Sequence, residues 1–299
     1  MKYSSATSDP QPIVVVSIGR HTRLGDALEY ALEGLPFETT DANEFTQKRL
    51  QNRRLLFAAS TDAGGENAQM RALTARLSAG ACDLSGCVCA MIADKERGGS
   101  VHIDALRLLL AANAAGAEVL SRPLLEADRE LRSVSQGGNG KETPFERYRA
   151  QARVLTRRLS GARTTSAEWP RMRFDTALEG GAAHDWRSAL TRAISAVGGE
   201  LTDEADAEQT ILLCENADGL PDERTLALLC GGGKVRFLIA SPSAGGELYA
   251  AALVERVCLR GDFALPGKAL ILFEGLSAVE ALANRTELER VKLALVPKK

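Results

Sequence analysis

Aromatic residues, excess basic charge and long apolar runs are all scarce in this chain of 299 residues. Phe, Trp and Tyr make up 5% of the sequence, too few for the stacked platforms that bind single-stranded nucleic acid. The formal net charge is −2, so the chain lacks the overall basic field of a dedicated nucleic-acid binder. It contains no run of about 18 uncharged apolar residues, the length that a membrane-spanning helix needs. We therefore expect neither nucleic acid nor membrane among its partners.

Metal-binding and disulfide patterns are also missing from the sequence. The six cysteines form no CxxC pair, and the three histidines are spread far apart, so we predict no metal site. Most of the cysteines fall in apolar strand or helix patterns, which predicts buried, reduced thiols that act as small hydrophobic residues. The six are Cys82, Cys87, Cys89, Cys214, Cys230 and Cys258.

The overall composition is that of a soluble globular protein. Hydrophobic residues make up 45% of the chain and charged residues 25%, and the length suits one large domain or two ordinary ones. Residues 1–12 are polar and lack the apolar core of a signal peptide. We interpret this segment as a short disordered leader and expect a cytoplasmic protein.

Short apolar runs alternate with helical patterns throughout the chain. In the first half the predicted strands are Ile13–Ser17, Phe37–Thr40, Arg53–Ala59, Cys87–Ala93 and Ala117–Leu120. The helices predicted between and after them are Asp26–Glu33, Glu66–Leu77, Val101–Ala115 and Pro144–Leu159. Such alternation is typical of right-handed βαβ crossovers, so the sequence predicts an α/β protein with parallel sheets flanked by helices.

The alternation of predicted strands and helices is interrupted by a stretch of small and polar residues without periodicity, and it continues after that stretch. We place a linker at residues 162–170, between a first domain (13–161) and a second (171–299). The strands predicted in the second domain are Met172–Ala177, Thr210–Cys214, Val235–Ala240, Lys268–Phe273 and Val291–Val296. Its predicted helices are His184–Val197, Asp222–Cys230, Glu247–Cys258 and Ser277–Leu288.

The two halves also resemble each other locally. The segment Ala59–Glu66 aligns without gaps with Ala240–Glu247, and the alignment continues through the following helix to a glycine and a strand. Both segments share the order of strand, Gly-Gly turn, helix, glycine and strand. The sequence therefore predicts two tandem copies of one α/β unit.

The repeated unit resembles the flavodoxin-like proteins, especially the NAD(P)H-dependent FMN reductases. In the first copy the matching features are Ser60, the helix from Gln69 to Leu77 and the Gly-rich loop 94–100. In the second copy they are Ser241-Pro242 and Gly267-Lys268. It implies two tandem flavodoxin-like domains. The family binds FMN on three loops beyond the carboxyl ends of the strands, and one of these loops wraps the phosphate beside a helix N-terminus.

On this resemblance the cofactor site belongs to the first domain. The phosphate loop would contain Ser17, Arg20, His21, Thr22 and Arg23. The loops beside the flavin ring would contain Ser60, Gly64, Gly65, Gly98, Gly99 and Ser100. The implied cofactors are FMN and, as hydride donor, NADPH.

Two departures from the family leave the function open. The loop after the third strand reads Thr61, Asp62, Ala63 where the family usually places an aromatic residue, and in the second domain the loop 178–183 has no hydroxyl and carries Glu179. We therefore expect no flavin site in the second domain. One hypothesis is that the protein transfers hydride from NAD(P)H through FMN to an acceptor. On this hypothesis its partner is a small molecule, and the family's common assembly implies a homodimer. The alternative is a non-catalytic tandem scaffold, a dimerisation unit or a small-ligand sensor without flavin.

Overall fold

The computed structural model describes residues 11–19, 23–46, 50–61, 67–95, 102–127, 143–162, 170–216, 219–229 and 233–295. The chain forms two compact units, one drawn from residues 1–111 and 124–164 and the other from 112–123 and 165–299. The predicted leader and linker lie for the most part outside the described residues, and their bounds stay predictions. Among the helices of the described ranges, none has the length and apolar character needed to cross a bilayer.

The first sheet has the strand order β2-β1-β3-β4-β5. Its strands are β1 (Ile13–Ile18), β2 (Phe37–Asp41), β3 (Arg54–Thr61), β4 (Val88–Lys95) and β5 (Glu118–Glu126). The pairs β1–β2, β1–β3 and β3–β4 are parallel. This order is that of the flavodoxin-like fold. The residues Ile13 to Val16 are buried, as expected for a strand covered on both faces.

Helices connect these strands as the apolar periodicity predicts. They are α1 (Arg23–Leu32), α2 (Ala42–Phe45), α3 (Ala68–Ser78), α4 (His102–Ala114) and α5 (Pro144–Gly161). The helix α5 begins at a capping box formed by Thr143 and Glu146, with Pro144 in its first turn. Its buried face includes Tyr148 and Leu155, which lie two turns apart on one side of the helix.

The second unit repeats the same strand order with a divided last strand. Its strands are β6 (Arg171–Thr176), β7 (Glu200–Thr202), β8 (Gln209–Glu215), β9 (Gly233–Ser241), β10 (Phe263–Ala264) and β11 (Leu270–Glu274). The sheet runs β10-β9-β8-β6-β7, and β11 also pairs with β9. Because β8 covers one edge of β9, both β10 and β11 lie on the other edge. The chain is thus α/β, with two flavodoxin-like domains in tandem, each a parallel sheet flanked by helices.

The helices of the second unit correct one part of the prediction. They are α6 (Gly181–Ser195), α7 (Glu223–Ala227), α8 (Gly246–Val254), α9 (Ala278–Ala283) and α10 (Arg285–Leu295), and a π-helical turn (Glu255–Leu259) follows α8. The predicted strand Val291–Val296 is wrong, because residues 291–295 belong to α10. Val291 and Leu295 stand four residues apart and both bury against the core, which suits a helix.

The predicted repeat pairs segments that hold different places in the two sheets. The unit β3–α3–β4 and the unit β9–α8–β11 are both strand, helix and parallel strand. However, β3 is third in its unit and β9 is fourth in its own. A Gly-Gly turn can connect any strand of such a sheet to the helix that follows it, so the shared turn does not identify equivalent strands. The duplication of one unit therefore stays a prediction.

The described cysteines are buried and none of them forms a disulfide, as predicted. They are Cys82, Cys87, Cys89, Cys214 and Cys258, and Cys230 lies outside the described residues. Burial raises the pKa of Cys87 to about 11 and the pKa values of Cys214 and Cys258 to about 12.

These raised pKa values predict a loss of stability at alkaline pH. In the unfolded chain the thiols ionise near their ordinary pKa of 9.0, whereas in the folded chain they stay protonated. The folded state then binds more protons, so the free energy of unfolding falls as pH rises from about 9 to 10, by up to about 1.4 kcal/mol per pH unit for each thiol. Urea unfolding at several pH values measures this slope.

A single substitution provides the control. The variant Cys214→Ala should have a shallower slope than the wild type in that pH window, because one buried thiol no longer titrates. A wild-type free energy of unfolding that stays flat or rises across the window would contradict the prediction.

Candidate functional site

The carboxyl ends of β1 and β3 meet at the point where the strand order reverses. From β1 the chain crosses to β2 on one side, and from β3 it crosses to β4 on the other. The crossover helices therefore leave the sheet in opposite directions and open a crevice between the two strand ends. In open α/β sheets this switch point is where ligands bind.

Asn67 joins the two strand ends at this crevice. Its Nδ2 amide donates to the carbonyl oxygen of Ser60 at 2.6 Å and to that of Ile18 at 3.3 Å. Its Oδ1 accepts from the Met70 amide at 2.8 Å and so caps the N-terminus of α3. The residue is only 6% exposed. One side chain thus fixes the ends of β1 and β3 and the start of α3.

Gly19 carries the chain out of β1 directly against β3. It has φ +89°, and its amide donates to Gln69 Oε1 at 2.8 Å. A Cβ at this position would lie 2.9 Å from the Ser60 carbonyl oxygen and 3.0 Å from Asn67 Nδ2. The close approach and the positive φ both require glycine here.

We predict that Gly19→Ala destabilises the first unit by about 1–3 kcal/mol, because alanine must adopt a left-handed conformation and also meets a backbone carbonyl. Urea unfolding measures the loss. The control is Gly25→Ala in α1, where an added Cβ meets no described atom within 4 Å and φ is ordinary. Equal stability of the Gly19→Ala protein and the wild type would contradict the close packing of this turn.

Polar and charged groups continue along the same edge of the sheet. Asp41 ends β2 and caps α2, accepting from the amides of Asn43 at 2.7 Å and Glu44 at 2.9 Å. Asp94 lies opposite Ser60 in the β3–β4 register. The Tyr148 hydroxyl donates to the Ala93 carbonyl oxygen at 3.2 Å. Burial, assisted by the negative charge of Asp94, raises the pKa of Tyr148, so the phenol remains a proton donor.

A histidine–glutamate pair lies at the ends of the next crossover. His102 begins α4, Glu126 ends β5, and 3.3 Å separates His102 Nδ1 from Glu126 Oε1. Beside it, Ile103 exposes 56% of its surface. The start of α4 therefore combines one exposed apolar side chain with a histidine–glutamate pair.

Few of the predicted site residues fall within the described residues. Ser17 lies in β1 opposite Asp41 and Ala58, and Ser60 lies in β3, so both are at the switch point. Arg23 begins α1, but its side chain is not described. The remaining calls lie outside the described residues: Arg20, His21, Thr22, Gly64, Gly65, Gly98, Gly99 and Ser100.

Sequence reasoning missed the residues that organise this edge. Asn67 precedes a helical pattern, which is a recognisable N-cap signal, but its bonds to two strand ends have no local signature. His102 and Glu126 are 24 positions apart in the sequence and meet only because β4 and β5 are neighbours.

The equivalent edge of the second unit is occupied by its own side chains. Ser241 is fully buried, accepts from Asn216 Nδ2 at 3.1 Å and donates to the Ser243 carbonyl oxygen at 2.8 Å. Glu215 Oε1 accepts from the amide of Ala278, the first residue of α9, at 3.1 Å. This carboxylate thus holds the helix terminus that an anion would otherwise approach.

The start of α8 also packs directly on this edge. A Cβ at Gly246 would lie 2.7 Å from Leu272 Cδ1 and 2.9 Å from the Cβ of Ser241.

Across the described ranges of the chain, no group of three or more His, Cys, Asp or Glu residues could hold a metal ion.

Comparison with known proteins adds distant structural likenesses. No family model matches the sequence, and no curated protein matches it. A flavodoxin from Fusobacterium nucleatum with bound FMN is 17% identical, covering 36% of this chain and 69% of its own, at a TM-score of 0.27. A mutant of the same flavodoxin gives 0.28 at 16% identity, covering 37% of this chain and 69% of its own.

A third structure is the apo form of the Rhodotorula graminis D-mandelate dehydrogenase. It is 15% identical over 95% of this chain and 93% of its own, at a TM-score of 0.20. The fold assignment rests on the strand order of the two sheets.

Proposed function

We propose that the first unit binds FMN at the switch point between β1 and β3. The observation that carries the proposal is the strand order β2-β1-β3-β4-β5 together with the fixed strand ends at Asn67. In flavodoxins, which have this strand order, FMN lies at the β1/β3 switch point. The polar strand ends provide a rigid frame for the three loops that would contact the cofactor.

The predicted site residues suit the two halves of FMN in their chemical type. The phosphate would lie at the N-terminus of α1, held by hydroxyls of Ser17 and Thr22 and by the guanidinium groups of Arg20 and Arg23. The ring would lie between the loops after β3 and β4. Ile103, which is exposed in the first turn of α4, would offer apolar surface there in place of the family's aromatic residue.

FMN supplies hydride and electron transfer, and the protein holds and orients it. The finer part of the proposal is that NAD(P)H reduces the bound flavin. Because the flavin carries the reactive groups, this chemistry requires no protein nucleophile. The residues of the site would hold and orient the cofactor.

A titration with FMN tests the binding proposal. We expect saturable quenching of flavin fluorescence at micromolar FMN and weaker binding of riboflavin, which lacks the phosphate. The double variant Arg20→Ala with Thr22→Ala should bind FMN at least about tenfold more weakly, because it loses charge-assisted hydrogen bonds. The matched control is Arg285→Ala with Thr286→Ala, an exposed pair on α10 of the second unit.

Two results would overturn the binding proposal. One is the absence of FMN binding at about 1 mM, far above the affinity expected of a cofactor site. The other is an equal loss of affinity in the control variant. The hydride step is tested separately by the absorbance of NADPH at 340 nm in the presence of bound FMN. A flavoprotein whose flavin NADPH does not reduce would be an electron carrier, not a reductase.

A second candidate role concerns the second unit. Its carboxyl edge is occupied by the hydrogen bonds of Ser241, Asn216 and Glu215. An edge that is filled in this way leaves no room there for a cofactor. We therefore propose the non-catalytic scaffold role for the second unit only, and FMN binding for the first unit only.

A further inference from the structure

A cavity opens between the helices α6 and α10 of the second unit. Both helices pack on the same face of the sheet, because residues of each belong to one core cluster, namely Leu190, Ile194, Val291 and Leu295. The cavity has a volume of about 360 Å³, within the range of about 300–1,000 Å³ that is typical of small-molecule sites. Residues between 189 and 197 line one side and residues between 288 and 292 line the other, so it is one concave surface, called here the α6–α10 groove.

The lining of the α6–α10 groove is mostly apolar. Leu190 and Val291 are each 1% exposed, and Leu288 is partly buried beside them. Ala189 and Ala193 contribute only a methyl group each, so the side chains of α6 leave the space open. Apolar surface of this kind is stabilised when an alkyl chain covers it and excludes water.

The equivalent helices of the first unit are bonded to each other. There α1 follows the first strand and α5 is the last helix, as α6 and α10 are in the second unit. Thr156 of α5 donates to the Ala31 carbonyl oxygen at 2.8 Å, and Arg157 donates to that of Glu33 at 2.8 Å. Both α6 and α10 are described over their full lengths, and no hydrogen bond or ion pair joins them. The groove is therefore a property of the second unit and not of the fold in general.

Both charged residues that line the α6–α10 groove are cations. Lys292 pairs with Glu289 at 2.7 Å, one turn earlier in α10. Arg192 is exposed in the last turn of α6, and the described residues provide its side chain with no ion-pair partner. No acidic residue lines the groove. Positive charge on the solvent side of an apolar cavity is complementary to an anion that carries an apolar chain.

We propose that the α6–α10 groove binds a fatty carboxylate, a single alkyl chain that ends in a carboxylate group. The chain would cover Leu190 and Val291, and the carboxylate would accept hydrogen bonds from the guanidinium group of Arg192, with Lys292 adding positive charge. Cations in the last turn of a helix also stabilise its macrodipole, so the test measures binding, which that role alone does not produce. The site is independent of FMN and does not rest on the cofactor proposal.

Sodium carboxylates of increasing length test the proposal with the full chain in the absence of FMN. Isothermal titration calorimetry with hexanoate, octanoate and decanoate measures their affinities below the concentrations at which they form micelles. We expect one saturable site for decanoate with a dissociation constant on the order of 100 μM. The affinity should rise roughly two- to fourfold with each added methylene group. Decyltrimethylammonium, which has the same chain and the opposite charge, should bind at least about tenfold more weakly.

Two variants locate the bound chain. Arg192→Gln should weaken decanoate binding at least about fivefold without weakening that of decyltrimethylammonium, because only the carboxylate loses a charge-assisted hydrogen bond. Ala193→Leu should weaken decanoate binding at least about tenfold, because the larger side chain fills the cavity. The matched controls are Arg285→Gln on α10 and Ala150→Leu on α5, two exposed positions outside the groove. Each control should change the affinity less than about twofold.

Several results would overturn the proposal. They are no saturable decanoate binding at about 1 mM, an affinity that does not depend on chain length, and equal weakening in the control variants. Circular dichroism checks the fold of each variant, and if Ala193→Leu does not fold, Arg192→Gln and the chain-length series still decide. Vesicles of anionic phospholipid address the other source of this chemistry. If they bind the wild type but not Arg192→Gln, and decanoate does not bind, the groove contacts a lipid surface and the proposal is wrong.

Discussion

Replacing Trp186 by alanine should lower the free energy of unfolding of the second unit by about 3–5 kcal/mol. Trp186 is fully buried in the core between α6 and the sheet, and its ring centroid lies 5.7 Å from that of Phe273. Its Nε1 donates to the Ala278 carbonyl oxygen at 2.8 Å. The variant therefore loses a large buried surface and the hydrogen bond to Ala278, and it leaves a cavity.

The loss is measured by urea unfolding followed by circular dichroism, which does not depend on the fluorescence of the removed indole. Trp186→Phe should lose less than the alanine variant, because it keeps much of the ring packing, although it loses the hydrogen bond and the volume of the second ring. Leu293→Ala is the surface control, since that side chain is 73% exposed, and it should stay within about 0.5 kcal/mol of the wild type. A loss below about 1 kcal/mol for Trp186→Ala would contradict the packing described for this core.

Replacing Asn67 by alanine should cost the first unit about 2–4 kcal/mol. The cap of α3 contributes about 1 kcal/mol, and the carbonyl oxygens of Ile18 and Ser60 lose a donor in a poorly hydrated site. Hydrogen exchange of the β1 and β3 amides measures the loss where it occurs. We expect faster exchange in these strands than in the wild type.

Asn67→Ser separates the two contributions. A serine hydroxyl can still cap α3, but the side chain is too short to reach both strand ends. Its loss of stability should therefore lie between that of the wild type and that of Asn67→Ala. If the serine and alanine variants are equally unstable, the cap contributes nothing. If the alanine variant matches the wild type, the bonds to Ile18 and Ser60 do not hold the switch point together.

Much of the fold could be predicted from the sequence because its signals are local. The run Ile13–Val16 is apolar at every position, so it reads as a strand covered on both faces, and it is one. The prediction for residues 291–296 failed because a short apolar run fits a strand or a helix equally well. Only the packing of Val291 and Leu295 on one core face decides between them.

The candidate site could be predicted less well for a related reason. The resemblance directs attention to Ser17 and Ser60, which do lie at the switch point. It gives no indication of Gly19 or Asn67, whose roles depend on a strand that is distant in the sequence. The Asn67 hydrogen bond to Ile18 joins residues 49 positions apart. The spacing of apolar residues within one helix or strand cannot predict a contact between residues so distant in the sequence.

The sequence by itself determined the alternation of strands and helices, the burial of the described cysteines and the absence of overall basic charge. Each follows from residue type or from spacing within one element. Tertiary structure alone decided which strands are neighbours, and therefore that both sheets share one order and that the ends of β1 and β3 meet. It also decided that the carboxyl edge of the second unit is occupied by Ser241, Asn216 and Glu215. The physical reason is that parallel strands pair through backbone groups common to every residue, so their order depends on how whole crossovers pack.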